Sequence, residues 1–150
     1  MALNQSGLGA ETPWTKSVVM QRQIDMLCNC IEDYNPLFLD EEIAEASANK
    51  GVVAPPTFIN CFRDYKTMLL ISELGVDMPM LLHGEQVIHY YKPVRPGDTV
   101  WQRIKIVEMG RKKSKTYKEM DYFVVLITMK NDVGEKLVEA TQFFFVRDKQ

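Results

Sequence analysis

The sequence predicts an α+β domain in which one long apolar helix packs on an antiparallel sheet. Two patterns predict it: residues 57–74 carry apolar side chains at spacings of three and four, and nearly everything after residue 84 has the composition of β-strands. A run of strands joined by short turns favours antiparallel pairing, with helices packed on the sheet. The length of 150 residues suits a single domain, 1–150, of which residues 1–13 are expected to be a loose lead-in.

The elements before the long helix are expected to be short. Residues 15–20 can form a strand, and residues 21–32 have the apolar spacing of an amphipathic helix. Pro36 marks a break after this helix, because the residue before a proline is pushed out of the helical region. Asp40 is expected to cap a second short helix that extends to Ser47, since an aspartate side chain accepts hydrogen bonds from the free N–H groups of a first turn.

The long helix is expected to begin after two prolines. Residues 51–56 are extended and apolar, and Pro55 and Pro56 stop strand pairing but can open a helix. The helix at 57–74 is apolar on most of its sides, which is typical of a buried helix. Gly75 is expected to end it, because glycine readily adopts the left-handed conformation found just beyond a helix.

The remainder of the chain is predicted to form four strands, at residues 85–91, 99–108, 117–130 and 136–146. A proline-rich segment, a polar tip at residues 111–115 and a turn at residues 131–134 separate them. Several strand segments are apolar on both faces and therefore need cover on both sides. The first helices or a partner subunit must cover the face that the long helix leaves open.

The composition limits the function classes. A net charge of −2 argues against a general nucleic-acid binder, and no apolar run approaches the roughly 20 residues needed to span a membrane. Residues 1–12 lack the pattern of a signal peptide. Cys28, Cys30 and Cys61 have no disulfide framework spacing and no further ligand pair for zinc, so we expect packing residues in a reducing, cytoplasmic compartment and no metal site.

Four segments carry motifs. Residues 33–44 read D-Y-N-P-L-F-L-D-E-E-I-A, and residues 51–58 read G-V-V-A-P-P-T-F. Residues 82–86 read L-H-G-E-Q and are followed by Y-Y-K-P-V-R-P-G-D at 90–98, while N-D-V-G-E stands at 131–135. In this order the segments resemble the MaoC-like (R)-specific enoyl-CoA hydratases and dehydratases, especially their N-terminal, fatty-acid-synthase-like branch. The first segment is similar to the family signature D-x-N-P-x-H-x-D-x-x-x-A.

The resemblance implies a hotdog fold, in which an antiparallel sheet wraps around the central helix. It also implies reversible hydration of a trans-2-enoyl thioester to the (R)-3-hydroxyacyl thioester, on CoA or on a carrier protein. No metal or redox cofactor is implied, since CoA or phosphopantetheine enters as part of the substrate. In this branch, non-catalytic hotdog domains commonly pair with catalytic ones and shape the acyl tunnel.

The signature is incomplete at its histidine. Asp33 matches the family's aspartate and is a candidate base if burial raises its pKa, but Phe38 stands where the family has its histidine. Phenylalanine neither takes nor gives a proton, so Phe38 is expected to line or close the pocket. His83 is the candidate substitute, although a lone histidine is more often structural. The alternative, which we favour, is that Asp33 and Asn35 only end a helix and start a turn.

Further residues are expected at a substrate site through the same resemblance. Asn35 and Phe38 belong to the signature, and Pro56, Thr57 and Phe58 stand where the central helix begins, the end that faces the thioester oxygen in the resembling enzymes. Thr57 and Phe58 have N–H groups to donate, unless the two prolines simply set the chain direction.

Basic residues form a second group of candidates. Lys92, Arg95 and the basic residues of 111–115, among them Lys115, can meet the phosphates of CoA or of a carrier-protein arm. Alternatively, the cluster at 111–115 is ordinary solvated surface.

Three functions remain open from the sequence. The leading one is a subunit, without its own catalytic histidine, of an acyl-thioester hydratase that pairs with a catalytic hotdog subunit. The alternative is a homodimeric hotdog module that binds acyl-CoA without chemistry. A hotdog thioesterase is the weakest, because such enzymes place a carboxylate on or near the central helix and Asp64, between Arg63 and Tyr65, has the pattern of a surface residue.

Overall fold

A computed structural model describes residues 3–62, 65–114 and 118–147 of the chain. Its centre is a five-stranded antiparallel sheet in the order β1-β3-β4-β5-β2. The strands are β1 (Thr15–Val18), β2 (Leu81–Tyr90), β3 (Thr99–Ser114), β4 (Lys118–Asn131) and β5 (Lys136–Val146). The helices are α1 (Gln21–Ile31), α2 (Pro36–Leu39), α3 (Glu41–Ala46) and α4 (Tyr65–Glu73), with 3₁₀ turns at Gln5–Gly7, Phe58–Phe62 and Met78–Met80.

One face of the sheet packs against the helical layer to form the core. Alternate residues of the long strands point into it, as period-two side-chain geometry requires. The buried set contains Val100, Ile104, Ile106, Phe123, Ile127, Met129, Val138, Ala140 and Phe144 from the strands, and Ile24, Phe58, Ile59, Ile71 and Leu74 from the helical layer. Burial of this apolar surface is the main favourable contribution to folding.

The predicted fold class is confirmed, and several local signals act as predicted. β5 has its predicted bounds, and β1 and α1 lie within theirs. The Oδ1 atom of Asp40 accepts a hydrogen bond from the Ile43 N–H at 3.0 Å and caps α3. The single-turn helix α2 was not predicted, and it begins where the Oδ1 of Asn35 accepts from the Leu37 N–H at 3.0 Å.

The central helix differs from the prediction at its start and in its burial. Residues 58–62 form a 3₁₀ turn in which the Phe58 N–H donates to the Pro55 carbonyl at 2.9 Å, and the α-helical conformation is described from Tyr65 onward. Tyr65 is 69% exposed, Met68 50% and Leu69 53%, because the sheet covers one side of α4 only. The expectation of a helix buried on most sides is therefore wrong, and Arg63 and Asp64 lie outside the described residues.

β3 continues past its predicted end at residue 108 into the predicted polar tip and ends at Ser114. Lys112 pairs with Met120 and Lys113 with Glu119 across the β3–β4 ladder, so backbone pairing continues through charged residues that read locally as a turn. β2 likewise begins at Leu81, four residues before its predicted start, and places His83 inside a strand. Lys115, which was counted in the basic tip, lies outside the described residues.

The described residues of the expected lead-in, 3–13, are instead attached to the sheet. The backbone N–H of Gly9 donates to Ile106 at 3.0 Å and that of Thr12 to Ile104 at 2.9 Å. The Thr12 hydroxyl accepts from the Ile104 N–H at 3.1 Å, and Leu3 is buried in the core. None of the helices among the described residues is long and apolar enough to cross a membrane.

Two glycines on the outward face of the sheet lie beneath aromatic rings. A Cβ atom on Gly84 would lie 2.3 Å from a ring carbon of Phe145, and one on Gly110 would lie 2.8 Å from the ring of Tyr122. These distances are too short for real carbon contacts, so each position accommodates its ring only because it has no side chain. The Tyr122 and Phe145 rings are cross-strand neighbours with centroids 6.4 Å apart.

Candidate functional site

A cavity of about 320 Å³ lies between α2, the segment at residues 49–56 and the end of β2. We call it the Phe38 cavity. It is lined by Phe38, Asn49, Val53, Ala54, Pro56, Tyr90, Tyr91, Lys92, Pro93 and Val94. Its volume is at the lower end of the range for small-molecule sites, and its mostly apolar lining suits an aliphatic ligand.

Local structure fixes Phe38 in the wall of this cavity. Pro36 occupies the first turn of α2, where its fixed φ angle is already helical, and Asn35 caps that turn. Phe38 is 7% exposed. The Val53 N–H donates to the Leu37 carbonyl at 3.2 Å, and the Ala54 N–H donates to the Val94 carbonyl at 2.8 Å. These two bonds hold the segment at residues 49–56 between the walls of the cavity.

Tyr90 is a cavity residue that the sequence reasoning missed. Its hydroxyl donates a hydrogen bond to the Pro56 carbonyl at 2.8 Å and so ties β2 to the start of the central helix. Burial raises the pKa of Tyr90 to about 12, with a smaller contribution from Cys61, so the phenol is protonated at neutral pH. The signal was present in the alternation of β2, which puts Tyr90 on the inward face with Gln86 and Ile88.

Asp33 and Asn35 do not line the Phe38 cavity. The Oδ1 atom of Asp33 accepts from the Asn35 N–H at 3.2 Å, and the Oδ1 atom of Asn35 accepts from the Leu37 N–H at 3.0 Å. Both side chains therefore form local turn and cap bonds, as in the alternative that the sequence left open. Asn35 is exposed to solvent, and Asp33 is half-buried.

At the start of the central helix, the predicted residues have different roles. Pro56 lines the cavity, while Thr57 is exposed and Phe58 is buried in the core. The Phe58 N–H is used in the bond to Pro55, so it is not free to meet a ligand. Thr57 remains as the candidate backbone donor at this end.

His83 lies away from the Phe38 cavity. Its exposed ring stacks on Phe144 with the centroids 4.9 Å apart, and Phe144 stacks in turn on Phe123. His83 does not line the cavity, and the structure does not bring it into contact with Asp33. The other histidine, His89, is exposed and packs edge-to-face on Tyr91 at 4.4 Å.

The two single basic candidates, Lys92 and Arg95, lie in different cavities. Lys92 lines the Phe38 cavity and forms an ion pair with Glu135 at 2.6 Å. Arg95 borders a second cavity of about 470 Å³, the Arg95 cavity, together with Gln21, Leu39, Glu41, Lys50, Gly51, Val52 and Pro96. Its guanidinium donates to the Val52 carbonyl at 3.3 Å and to the Asn49 carbonyl. In the predicted basic tip, Arg111 bonds Asp121 at 2.8 Å.

Three glutamines of the sheet form an amide cluster with Asn60 of the turn Phe58–Phe62, which the sequence did not indicate. Gln142 is 1% exposed, and its Nε2 donates at 2.8 Å both to Oδ1 of Asn60 and to Oε1 of Gln86. Gln102 donates to the Ile59 carbonyl at 3.2 Å. The Nε2 atom of Gln86 is buried without an acceptor among the described residues. The cluster attaches the start of the central helix to the sheet.

The three cysteines are free thiols in different environments. Cys28 is buried in the core, whereas Cys30 and Cys61 are exposed, so the packing role predicted for all three holds for Cys28 alone. Burial raises the pKa of the Cys28 thiol, with further contributions from Asp33 and Asp25. Burial also raises the pKa of Cys61. Within the described residues, no group of three or more His, Cys, Asp or Glu side chains has the arrangement of a metal site.

The fold and the motifs of this chain are both found in one family of dehydratases. The model of the FAS1-like dehydratase domain region matches residues 6–140. This chain belongs to that family. A UPF0336 protein of Streptomyces griseus is 34% identical over 113 residues, which cover 72% of this chain and 75% of the relative.

Solved structures show the same fold. A MaoC-like dehydratase superposes with a TM-score of 0.80 at 20% identity, covering 95% of this chain and 43% of that one. The truncated HadBC complex of Mycobacterium tuberculosis, a 3R-hydroxyacyl-ACP dehydratase, gives a TM-score of 0.76 at 24% identity and covers 92% of this chain and 96% of that one. The MaoC-like resemblance and the hotdog fold are therefore confirmed.

Proposed function

We propose that this chain is the non-catalytic subunit of an acyl-thioester hydratase or dehydratase. The assembly would interconvert trans-2-enoyl and (R)-3-hydroxyacyl thioesters carried on CoA or on a carrier protein. The observation that carries the proposal is Phe38, which is 7% exposed in the cavity wall and occupies the signature's histidine position. Hydration needs groups that move protons to and from water and the α-carbon, and a phenyl ring moves none.

The chain would contribute the wall of the acyl tunnel. The Phe38 cavity is lined mainly by apolar groups, and its tyrosine Tyr90, with a pKa of about 12, cannot act as a base at neutral pH. Lys92 at the same cavity would have to exchange its ion pair with Glu135 for an anionic part of CoA or phosphopantetheine, which enters as part of the substrate. Asp33 would act through the turn rather than on the substrate, because its carboxylate caps the Asn35 N–H.

A catalytic partner subunit would complete the site. β2 is an edge strand of the sheet, and Tyr65, Met68 and Leu69 of α4 expose apolar surface that a second hotdog domain can cover. The HadBC complex, which shares this fold, supports pairing between two different subunits. The three free thiols support a reducing compartment such as the cytoplasm as the place of action.

The test measures the hydration of crotonyl-CoA and of a longer enoyl-CoA. Two samples are compared: the chain alone, and the chain mixed with a hotdog subunit that carries the complete signature. We expect no turnover by the chain alone and turnover by the pair. Asp33→Asn in this chain is the matched control, since asparagine keeps the oxygen that accepts from Asn35 but removes the carboxylate. Activity of the pair should survive it, and turnover by the chain alone that Asp33→Asn abolishes would contradict the proposal.

A second candidate is a homodimeric module that binds acyl-CoA without chemistry. It is favoured by the Phe38 cavity, for which α2, residues 49–56 and the end of β2 of one chain supply ten lining residues. Two measurements distinguish the two candidates: sedimentation gives the oligomeric state of the chain, and titration with octanoyl-CoA gives its affinity for the ligand. A stable homodimer that binds octanoyl-CoA and does not exchange subunits with a catalytic hotdog protein would favour the module.

A further inference from the structure

Both tryptophans of the chain lie among basic side chains at one end of the sheet. Trp101 alternates along β3 with the buried Val100 and Gln102, so it lies on the outward face, and the Lys16 ammonium is 5.4 Å from its ring centre. The ring of Trp14 contacts two cations, with Arg103 at 4.7 Å and Lys130 at 5.0 Å from its centre. We call this surface the Trp face; it comprises Trp14, Lys16, Trp101, Arg103, Lys105, Lys130 and Lys136.

The strand register arranges part of this face as a row. Lys16 pairs with Trp101, Trp101 with Lys130, and Lys130 with Lys136. Like charges directly opposite each other in a sheet are unfavourable, and Lys130 and Lys136 are such neighbours. Within the part of the chain that the structure describes, Lys130 has no carboxylate partner. Three strand spacings separate the ends of the row, so it extends about 14 Å.

The Trp face is positive although the chain carries a net charge of −2. Among the described residues, its five basic side chains are bonded by three carboxylates, those of Glu11, Asp132 and Glu139. Tryptophan and arginine are also the residue types that contribute most often to the energetic centre of protein interfaces. The charge and composition of this surface therefore suit a negatively charged protein surface.

The Trp face reaches Tyr91, one of the residues that line the Phe38 cavity. The Lys136 ammonium lies 5.2 Å from the ring centre of Tyr91, which itself lines the cavity. The Tyr91 hydroxyl donates to Glu139 at 2.7 Å, and Glu139 also bonds Lys136 at 2.7 Å. A partner bound to this face would therefore lie next to a lining residue of the Phe38 cavity.

We propose that the Trp face docks an acidic acyl-carrier domain, whose acyl chain then enters the Phe38 cavity. This inference rests on the proposed function, because it assumes that the cavity takes an acyl group. A diphosphate occupies only a few ångströms, whereas the basic row extends across four strands. Complementary charge also accelerates encounter, which suits a carrier that must bind and leave repeatedly.

The test compares two probes, octanoyl-carrier protein and octanoyl-CoA, on wild-type chain and on Lys130→Glu. We expect Lys130→Glu to weaken binding of the carrier protein about tenfold near 0.1 M salt and to leave octanoyl-CoA binding unchanged. The difference should shrink towards 1 M salt, where the screening length falls to about 3 Å. Lys112→Glu is the matched control: it makes the same charge change at the far end of β3, roughly 35 Å along the strand. If the basic residues of 111–115 are ordinary solvated surface, as the docking proposal requires, this change leaves both probes unaffected.

The outcomes distinguish the two proposals. Equal effects of Lys130→Glu and Lys112→Glu, or no effect of either, would overturn the docking surface. Wild-type chain that binds octanoyl-CoA but not the carrier protein would overturn docking alone, and wild-type chain that binds neither would overturn the proposed function as well. Should Lys130→Glu fail to fold by circular dichroism, Lys130→Gln removes the charge without reversing it, and we expect about threefold weaker carrier binding.

Discussion

The Phe38 cavity and the Arg95 cavity both border the segment at residues 49–56. Asn49, Val53, Ala54 and Pro56 line the first, whereas residues 50–52 line the second. The Arg95 cavity is the larger, at about 470 Å³ against 320 Å³, and it contains charged side chains. Its arginine nevertheless donates to the backbone carbonyls of Val52 and Asn49, so its guanidinium serves the fold.

The difference shows that a cavity's suitability for a ligand depends on the hydrogen bonds that its polar groups already make, because a polar group that is already bonded is less available to a ligand. In the Phe38 cavity Tyr90 is bonded to Pro56 and Lys92 to Glu135, and most of the other lining residues are apolar. In the Arg95 cavity the guanidinium of Arg95 is bonded to the backbone, and Glu41 and Lys50 add further charge to the lining. The smaller cavity is therefore the better candidate for an acyl chain.

The largest effect is expected from Phe38→Ala. Truncation of a buried phenylalanine costs about 3–5 kcal/mol, and we expect the lower end, about 3 kcal/mol, because Phe38 already borders an empty space. Urea unfolding measures this loss, and titration with acyl-CoAs of increasing length should show a shift in preference towards longer chains. An unchanged length preference with reduced stability would mean that Phe38 belongs to the core and not to the ligand site.

Arg95→Ala should destabilise the chain by about 2 kcal/mol, because hydrogen bonds from a charged donor are stronger than neutral ones and two carbonyls lose their partner. Arg95→Lys should recover little, since an ammonium cannot reproduce the planar fork. Octanoyl-CoA affinity should not change in either variant. Reduced affinity at unchanged unfolding midpoint would instead make Arg95 a phosphate ligand, as the sequence suggested.

Tyr90→Phe should have the smallest effect, about 1 kcal/mol, because one hydrogen bond to Pro56 is lost and the ring remains. The effect should depend on pH. The folded-state pKa of about 12 exceeds the ordinary value of 10.0, so the contribution of the phenol is complete below about pH 10 and is lost as the pH rises towards 12. Urea unfolding of both proteins at pH 8 and pH 11 checks this, and a difference that grows at high pH would refute it.

The sequence predicted best where neighbours along the chain decide the outcome. Asp40 caps α3 because its acceptor reaches an N–H three residues away, and the turn signals around β5 place that strand correctly. Residues 111–113 were mistaken for a tip because their pairing depends on β4. The exposure of Tyr65, Met68 and Leu69 was also missed. Helical periodicity identifies the apolar side of the helix, but it does not tell how much of that side the sheet covers.

The candidate site was predictable in part. The signature led to Phe38, and the cavity brings it together with Pro56 and Lys92. The role of Arg95 is decided by its hydrogen bonds to two backbone carbonyls that lie 43 and 46 residues away along the chain. The sequence carries no local signal for these bonds. Tyr90 is recognised as a cavity residue from two observations together: it lies on the inward face of β2, and its hydroxyl bonds the Pro56 carbonyl.

The two glycines beneath aromatic rings limit how this chain can diversify. A methyl group on Gly84 would enter the space of the Phe145 ring, and one on Gly110 would enter that of Tyr122. Overpacking of this kind typically costs about 1–3 kcal/mol unless the neighbour gives way. Each glycine and its ring should therefore change together during evolution. Related chains that gain a side chain at position 84 should carry a smaller residue at position 145, although the two positions are distant in the sequence.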